Sequence, residues 1–552
     1  MKNIIRLLVA LVLIGAVAWA GYFFFENSSR DRTLYTFVPE DFVYLVESDK
    51  PVADWNRVSQ SPVWRFLKGN EFFKDITESA DYLDSLLATN QTLVNMVSLG
   101  DLLISAHMTS AQAYDFVVLL DLKGKGKKLP KLKPVLTSLF ELFSYRVTTS
   151  QYFNFDIYTL YDPVARETMY LSTVDNVLIF SYTESLVKKA IAQSENPSVL
   201  DIPAFQEVRA KSDPGQPYTL YLNYPNLDRL IRSVMTDTPD MLEGLGEAAR
   251  YSVMNLDLQP DGVVLDGYLR QQDSSASYLS LFSRSGDGDI RAGDVLPQRT
   301  ALFTSVGFED FERLYTLLEE TYARQDPEGY KTRVREKEKI EKLLKIDFKR
   351  DFFSWMTEEV VTAVIPVDSA GTEMAYVAML HFDDYETARE RIEYVSKRVG
   401  KSPVKFEEKD YRGYTIKYLT LRGFFSIFFK KLFNKIEKPH YTFIDDYLVF
   451  SNDTTSLQVM IDSYLAEQTL SRDNAYQTFM RRFSRSSNVY TYLRTAHAIP
   501  YLMTSLDPAA RADMQRNEAY FLRFPQIGFQ LAPAGGMYRT QVYGAFEANT
   551  VR

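Results

Sequence analysis

The sequence predicts an α+β protein: an N-terminal transmembrane helix followed by two tandem homologous units, each a mainly antiparallel sheet packed with helices. Three observations carry that expectation. An uncharged apolar run of 19 residues extends from Leu7 to Phe25. A set of sequence landmarks recurs in the same order at long spacing, and short apolar runs are joined by two-residue turn signals. With 552 residues, 46% of them hydrophobic and 24% charged, the composition is globular and leaves room for two large domains.

The N-terminal run would make about 28 Å of helix, close to the thickness of a bilayer core. Lys2 and Arg6 precede it and favour an N-in orientation, while Arg30 and Arg32 on the far side oppose that bias. The expected location is therefore a single pass of the inner membrane, with the body in the periplasm or outside the cell. Ala18-Trp19-Ala20 has the small-x-small pattern of a signal-peptidase site, so cleavage is the competing reading. Tyr22 to Phe25 continue the apolar run past that point and favour an uncleaved anchor.

The recurrence divides the rest. Pro39 and Pro297 open similar segments 258 positions apart, and Gly100 to Ala106 matches Glu358 to Val364 at the same offset. Phe116 pairs with Tyr376 at 260, Val174 with Ile444 at 270, Tyr218 with Val489 at 271, and Leu256 with Phe529 at 273. An offset that only drifts upward argues for duplication. The expected divisions are residues 1–32 for N-terminus, anchor and linker, 33–288 for the first unit and 289–552 for the second. Ser283 to Asp294 reads as a flexible connector, without the spaced ligands and closing Glu of a calcium loop.

Within the first unit, Phe42 to Glu47 reads as a strand leading into helices that carry Trp55, Trp64, Phe66 and Phe72. A helix follows near Ala80 to Val97, then strands at Leu102 to Met108 and Phe116 to Leu122, then a helix around Pro134 to Phe143. Strands cluster between Tyr145 and Ser181. Asp175-Asn176 and Asp445-Asp446 sit between strand-like runs as hairpin turns, because Asp and Asn tolerate positive φ. The adjacent carboxylates of the second pair are thereby read as a turn rather than as acid and base. A helix pair, a strand at Tyr218 or Val489 and a final hairpin complete each unit.

These motifs, a Pro at the opening strand, the aromatic helix, the D-[ND]-x-[LV]-[IV]-F-S hairpin and the YxL strand, resemble a bacterial family catalogued only as a domain of unknown function. The resemblance implies a secreted or membrane-anchored protein, here in two copies, and brings no catalytic residues.

Chemistry-bearing motifs are sparse. The chain has no Cys and four His, which excludes disulfides and thiolate sites and implies no cofactor or metal. His107, His381, His440 and His497 face Ile365, Asp121, Tyr170 and Asn226 in the other unit, so no histidine recurs. Gly124 to Lys128 lacks Walker spacing, and Ser185-x-x-Lys188 and Ser402-x-x-Lys405 lack partner motifs. A net charge of −9 argues against a nucleic-acid partner. The mixed-charge stretch from Lys331 to Arg350 reads as a solvated helix.

The second unit gains about ten residues between the 260 and 270 offsets, within Leu421 to Tyr441. Phe425, Phe428, Phe429, Leu432 and Ile436 would share one helical stripe, with Lys430, Lys431 and Lys435 off it. These eight residues are the candidate contact with a membrane interface or a partner; the alternative is that the stripe packs on the protein's own sheet. The expected function is a non-enzymatic, membrane-anchored envelope protein. It would contact the membrane through Leu7 to Phe25 and bind or scaffold a protein, lipid or cell-wall component. The alternative is a hydrolase or transferase with carboxylates and hydroxyls in a cleft between the units.

Overall fold

The computed structural model describes residues 32–69, 100–121, 146–234, 245–272, 278–399, 408–418 and 435–548, apart from 112, 164, 165, 438, 505 and 507. They form two compact units: one runs to residue 260 and includes 264–270, and the other takes 261–263 and everything from 271.

The first unit is a sheet of β1 (Phe42–Ser48), β2 (Leu102–Ser110), β3 (Ala113–Asp121), β4 (Arg146–Tyr152), β5 (Phe155–Asp162), β6 (Glu167–Val174), β7 (Val177–Ser181), β8 (Tyr218–Asn223), β9 (Ala249–Gln259) and β10 (Gly262–Gln271). Hydrogen bonding sets the order β4-β5-β6-β7-β3-β2-β1-β8-β9-β10, and every register determined from β4 to β9 is antiparallel. Hairpins account for β4 to β7, and the one between β6 and β7 turns at Asp175-Asn176, as its polar residues predict. The central β2 and β3 are buried on both faces over six consecutive residues each, which is why they read as continuous apolar runs rather than alternating ones.

Four α-helices precede β8 among the described residues. They are short and each has a local reason to form. In α1 (Pro51–Ser59) and α2 (Pro62–Leu67), Pro occupies the first helical turn, and the Ser61 side chain caps α2 by accepting from the Trp64 N–H at 3.1 Å. Trp55 and Trp64 then meet edge to face, 5.1 Å apart. Helix α3 (Glu184–Gln193) buries Leu186, Val187, Ala190 and Ile191 on one stripe, and α4 (Pro203–Arg209) buries Phe205 and Val208. Full burial of each such aliphatic or aromatic side chain contributes roughly 1.5–3 kcal/mol. A further helix, α5 (Tyr224–Val234), follows β8.

The second unit begins with helix α6 (Tyr278–Ser285), whose Leu281 lies in that unit's core. The strands of its main sheet are β11 (Leu302–Gly307), β12 (Glu359–Pro366), β13 (Met374–His381), β14 (Glu408–Tyr411), β15 (Tyr414–Tyr418), β16 (His440–Ile444), β17 (Tyr447–Ser451), β18 (Val489–Arg494), β19 (Gln526–Ala534) and β20 (Met537–Ala545), and Gly288–Asp289 pairs separately with Ser486–Ser487. Their order, β14-β15-β16-β17-β13-β12-β11-β18-β19-β20, is that of the first unit with each number raised by ten. The registers match as well. Leu45 faces Ser105 and Tyr221, and Phe303 faces Ala363 and Tyr492.

One landmark shifts. Tyr218 pairs with Leu256, whereas Val489 pairs with Leu531, not with Phe529. The sequence match is therefore displaced by two residues. A slip of two keeps every side chain on its face of a strand, so hydrophobic alternation cannot detect it.

Helix α7 (Phe311–Gln325) and helix α8 (Pro327–Leu344) follow β11. The second has no fully buried residue, but its Ile340 and Leu344 pack partly buried against the core, and Ile346 and Phe348 just beyond it enter the core, so the stretch expected as a solvated helix is solvated on one side only. Helices α9 (Tyr385–Val399), α10 (Thr454–Leu465), α11 (Asn474–Met480), α12 (Thr495–Thr504) and α13 (Pro508–Arg516) follow, with short helical turns at Phe348–Asp351 and Glu518–Phe521.

The expected fold class needs correction at its head. Among the described residues no helix is long and apolar enough to cross a membrane. Even the 18-residue α8 alternates charges along its length. What is shown among the described residues is an α+β architecture of antiparallel sheet and helices. Leu7 to Phe25 lies outside the described residues, as do the helices expected near Ala80 to Val97 and Pro134 to Phe143. The stretch read as a flexible connector differs too. The Asp289 N–H donates to Glu358 at 2.9 Å and the Arg291 N–H to Glu359 at 2.8 Å, which ties this segment to the start of β12.

Candidate functional site

The first unit holds a chain of polar groups that the sequence did not single out. Ser105 and His107 stand two residues apart on β2 and so share a face. Ser105 Oγ lies 2.6 Å from His107 Nε2, and His107 Nδ1 lies 3.0 Å from an Asp41 carboxylate oxygen. Lys189 of α3 donates to the other Asp41 oxygen at 2.9 Å. The His107 hydrogen bond, supported by Lys189, holds the Asp41 carboxyl well below the ordinary carboxylate range against the opposing effect of burial.

These are the contacts of a serine, histidine and aspartate triad, but their exposure is reversed. Ser105 and His107 are 0% exposed, while the Asp41 side chain is 46% exposed. A nucleophile must meet substrate, and here the acid meets solvent while the hydroxyl is sealed beneath the helices. The arrangement satisfies a buried imidazole on both nitrogens. At the same register positions the second unit has Ala363 and Ile365. The fold therefore forms equally with an apolar pair. The signal available in the sequence was Ser-x-His on an apolar strand; its partner Asp41 precedes β1 and is joined to it only by folding.

The second unit buries a carboxylate. Glu359, 0% exposed at the start of β12, accepts from the Ser305 and Tyr447 hydroxyls and from the backbone N–H groups of Arg291 and Ala292. Burial raises its carboxyl above the usual value, and these donors offset part of the rise. Nearby, His381 is 1% exposed, and its Nδ1 lies 2.9 Å from the Thr357 hydroxyl. Its ring meets Tyr447 edge to face at 5.1 Å, and burial lowers its pKa. Asp445 takes the left-handed conformation, φ 51°, as does Asp175 at φ 52°, so both pairs serve as hairpin turns. Lys188 is paired with Glu184 at 2.8 Å, which commits the lysine of the Ser185-x-x-Lys188 spacing to a helical ion pair. Among the described residues no group of three or more His, Asp or Glu is placed to hold a metal ion.

Of the eight residues in the candidate contact helix, Phe425, Phe428, Phe429, Lys430, Lys431 and Leu432 lie outside the described residues, as do Ser402, Lys405 and Gly124 to Lys128. The remaining two separate sharply. Ile436 is 5% exposed and belongs to the second unit's core. Lys435 is exposed and sits over the Tyr376 ring, 4.2 Å from its centroid, hydrogen-bonded to the Tyr376 hydroxyl and, at 3.2 Å, to that of Tyr501. Tyr376 and Tyr501 belong to a cluster with Leu302, Met374, Leu493 and Leu502, all only partly buried, around Ala301, Val364 and Ala498.

Fold and polar groups together define the class: an α+β protein of two units with one strand order, whose buried titratable groups tie strands and connectors together. Residues 127–394, a little under half of the chain, match a family described as Protein of unknown function (DUF3352). A domain of unknown function is thus identified over that region. No curated protein matches the chain, and no solved structure matches it.

Proposed function

We propose that the chain is a non-enzymatic binding or scaffolding protein of the bacterial envelope, built from two copies of one α+β module, with a protein, lipid or cell-wall component as its partner. The observation that carries this reading is the reversed burial of the Ser105, His107 and Asp41 chain. The group with the most suggestive chemistry in the molecule is spent on internal hydrogen bonding. Equal strand order and register support the two-copy reading, and the partly buried tyrosines around Lys435 supply a surface with aromatic and hydroxyl contacts.

The test has two arms. A photo-crosslinking phenylalanine analogue at Tyr501 should give discrete adducts in cells, and the same analogue at exposed Leu343 of α8 should not. Turnover of any ester, amide or glycoside that Ser105→Ala or Glu359→Gln abolishes, with the fold retained by circular dichroism, would overturn the binding reading in favour of a hydrolase.

A further inference from the structure

In strand order, the sheet of each unit begins on a strand with one neighbour, and these two strands differ. In the first unit it is β4, seven residues reading Arg-Val-Thr-Thr-Ser-Gln-Tyr and mostly exposed. In the second it is β14, four residues reading Glu-Lys-Asp-Tyr. Among the described residues β4 pairs only with β5, and β14 only with β15. The other side of such a strand carries a row of unpaired N–H and C=O groups that a further strand can meet.

The turn fixes which groups those are. Phe153 and Asn154 lie between Tyr152 and Phe155, which pair across the hairpin. A pair that closes a two-residue turn exchanges hydrogen bonds, and the ladder then alternates along the strand. Tyr152, Ser150, Thr148 and Arg146 therefore bond to β5, and Gln151, Thr149 and Val147 direct their N–H and C=O groups outward. Set antiparallel against a second copy of itself and centred on Thr149, β4 pairs along its whole length. Thr149 meets Thr149 of the second copy, Val147 meets Gln151, Thr148 meets Ser150 and Arg146 meets Tyr152. The outward groups then face each other as hydrogen-bonded pairs, hydroxyl side chains fall opposite one another, and no charge faces its like. Lys188, 5.8 Å from the Tyr152 ring, is neutralised by Glu184 at 2.8 Å.

The same operation fails on β14. Tyr411 and Tyr414 close its turn at Arg412 and Gly413, so Glu408 and Asp410 direct their backbone groups outward. Pairing those groups about a two-fold axis sets Glu408 against Asp410 and Lys409 against Lys409, or one of the two carboxylates against itself. Like charges directly opposite oppose pairing, and a short, charged strand is a common guard on a sheet edge. One unit thus guards this edge, and the other presents an uncharged run at the same place in the strand order that matches itself.

We propose that the chain self-associates through β4, two copies joining their first-unit sheets edge to edge about a two-fold axis at Thr149. The partner is a second copy of this chain, and the inference does not depend on the binding reading above.

The sequence has no Cys, so single cysteines report the register directly. In the full chain, Thr149→Cys should link to its counterpart through a short bifunctional thiol reagent, because the two Cα atoms lie about 5.5 Å apart in such a pair. Gln151→Cys should not, since its counterpart is displaced along the strand by about 14 Å. Thr149→Glu and Thr149→Lys each place like charges at the axis and should raise the dimer dissociation constant at least about tenfold, read by analytical ultracentrifugation. Mixing these two variants should restore a dimer, since Glu then faces Lys, and that recovery separates a broken contact from a misfolded chain. The proposal is overturned by a chain that stays monomeric at every concentration, or by equal linking of Thr149→Cys and Gln151→Cys. A dimer that either charge variant leaves intact, or a mixture that does not recover, overturns it too. Any of these leaves the Tyr501 crosslinking test of the binding reading unaffected.

Discussion

The Ser105 and His107 pair allows a stability prediction in which two harmful changes cancel. Ser105→Ala removes the group facing His107 Nε2, leaving a ring nitrogen without a partner at a site that is 0% exposed. An unsatisfied buried group of this kind costs about 1–3 kcal/mol. His107→Ile strands the Ser105 hydroxyl at similar cost, about 1–3 kcal/mol, and also frees one oxygen of Asp41. Asp41 is half exposed and keeps Lys189, so water and the lysine satisfy it cheaply. In the double variant both polar groups are gone and an apolar pair replaces them, the combination that Ala363 and Ile365 form at the same register positions of the second unit. The double variant should therefore be more stable than the sum of the single changes implies, with a coupling of about 1–3 kcal/mol. Hydrogen exchange read by mass spectrometry on peptides spanning 42–48 and 102–121 isolates this unit from the other. Additive losses, or a double variant weaker than either single one, would refute the reasoning.

Further expectations concern charge and backbone space. Since the Asp41 carboxyl is depressed in the folded state, its contribution is present above the unfolded value and disappears as pH falls through the folded one. Asp41→Asn should cost no more than about 1 kcal/mol at neutral pH, given its exposure, and the gap should close under strongly acidic conditions in melting curves. Glu359 has the opposite sign: its raised carboxyl means that stability is lost as pH rises from the unfolded value through the folded one. Glu359→Gln should flatten that slope, and an unchanged pH profile of the melting temperature would count against the assignment. A methyl at Gly267 would lie 1.9 Å from the Val253 carbonyl oxygen of β9. Gly267→Ala should thus cost about 1–3 kcal/mol by overpacking, measured by urea denaturation. At Gly413 nothing lies within 4 Å, and only the positive φ of 88° opposes a side chain, so Gly413→Ala should cost about 1 kcal/mol.

Much of the strand pattern was legible because antiparallel hairpins are local. Asp175-Asn176 and Asp445-Asp446 needed only their own turn chemistry and the flanking apolar runs, and β6, β7, β16 and β17 follow from them. Offsets of 258, 260, 270 and 271 connect residues at the same register positions, because those offsets come from segments with distinctive order. The last landmark failed by two residues because alternation has a period of two. The polar groups were far less legible. His107 read as an isolated histidine, since Asp41 is 66 residues away and Lys189 is 148 residues from Asp41. Ile436 and Lys435 are neighbours in the candidate contact helix, yet one enters the core and the other lies on a tyrosine pair. That division follows from the side of the backbone each faces at the entry to β16.

From composition and spacing alone came the class of architecture, the antiparallel hairpins, the long-range correspondence between the halves and the scarcity of imidazole and thiol chemistry. Those properties depend on residue type and on neighbours a few positions apart, which is information a linear chain carries. Which polar groups are buried, which partners satisfy them and which aromatic ring is left in water depended on segments separated by tens to hundreds of residues. Burial is a property of the closed core, and the reversed exposure of Ser105 and Asp41 arises only when α3 and α4 close over the sheet.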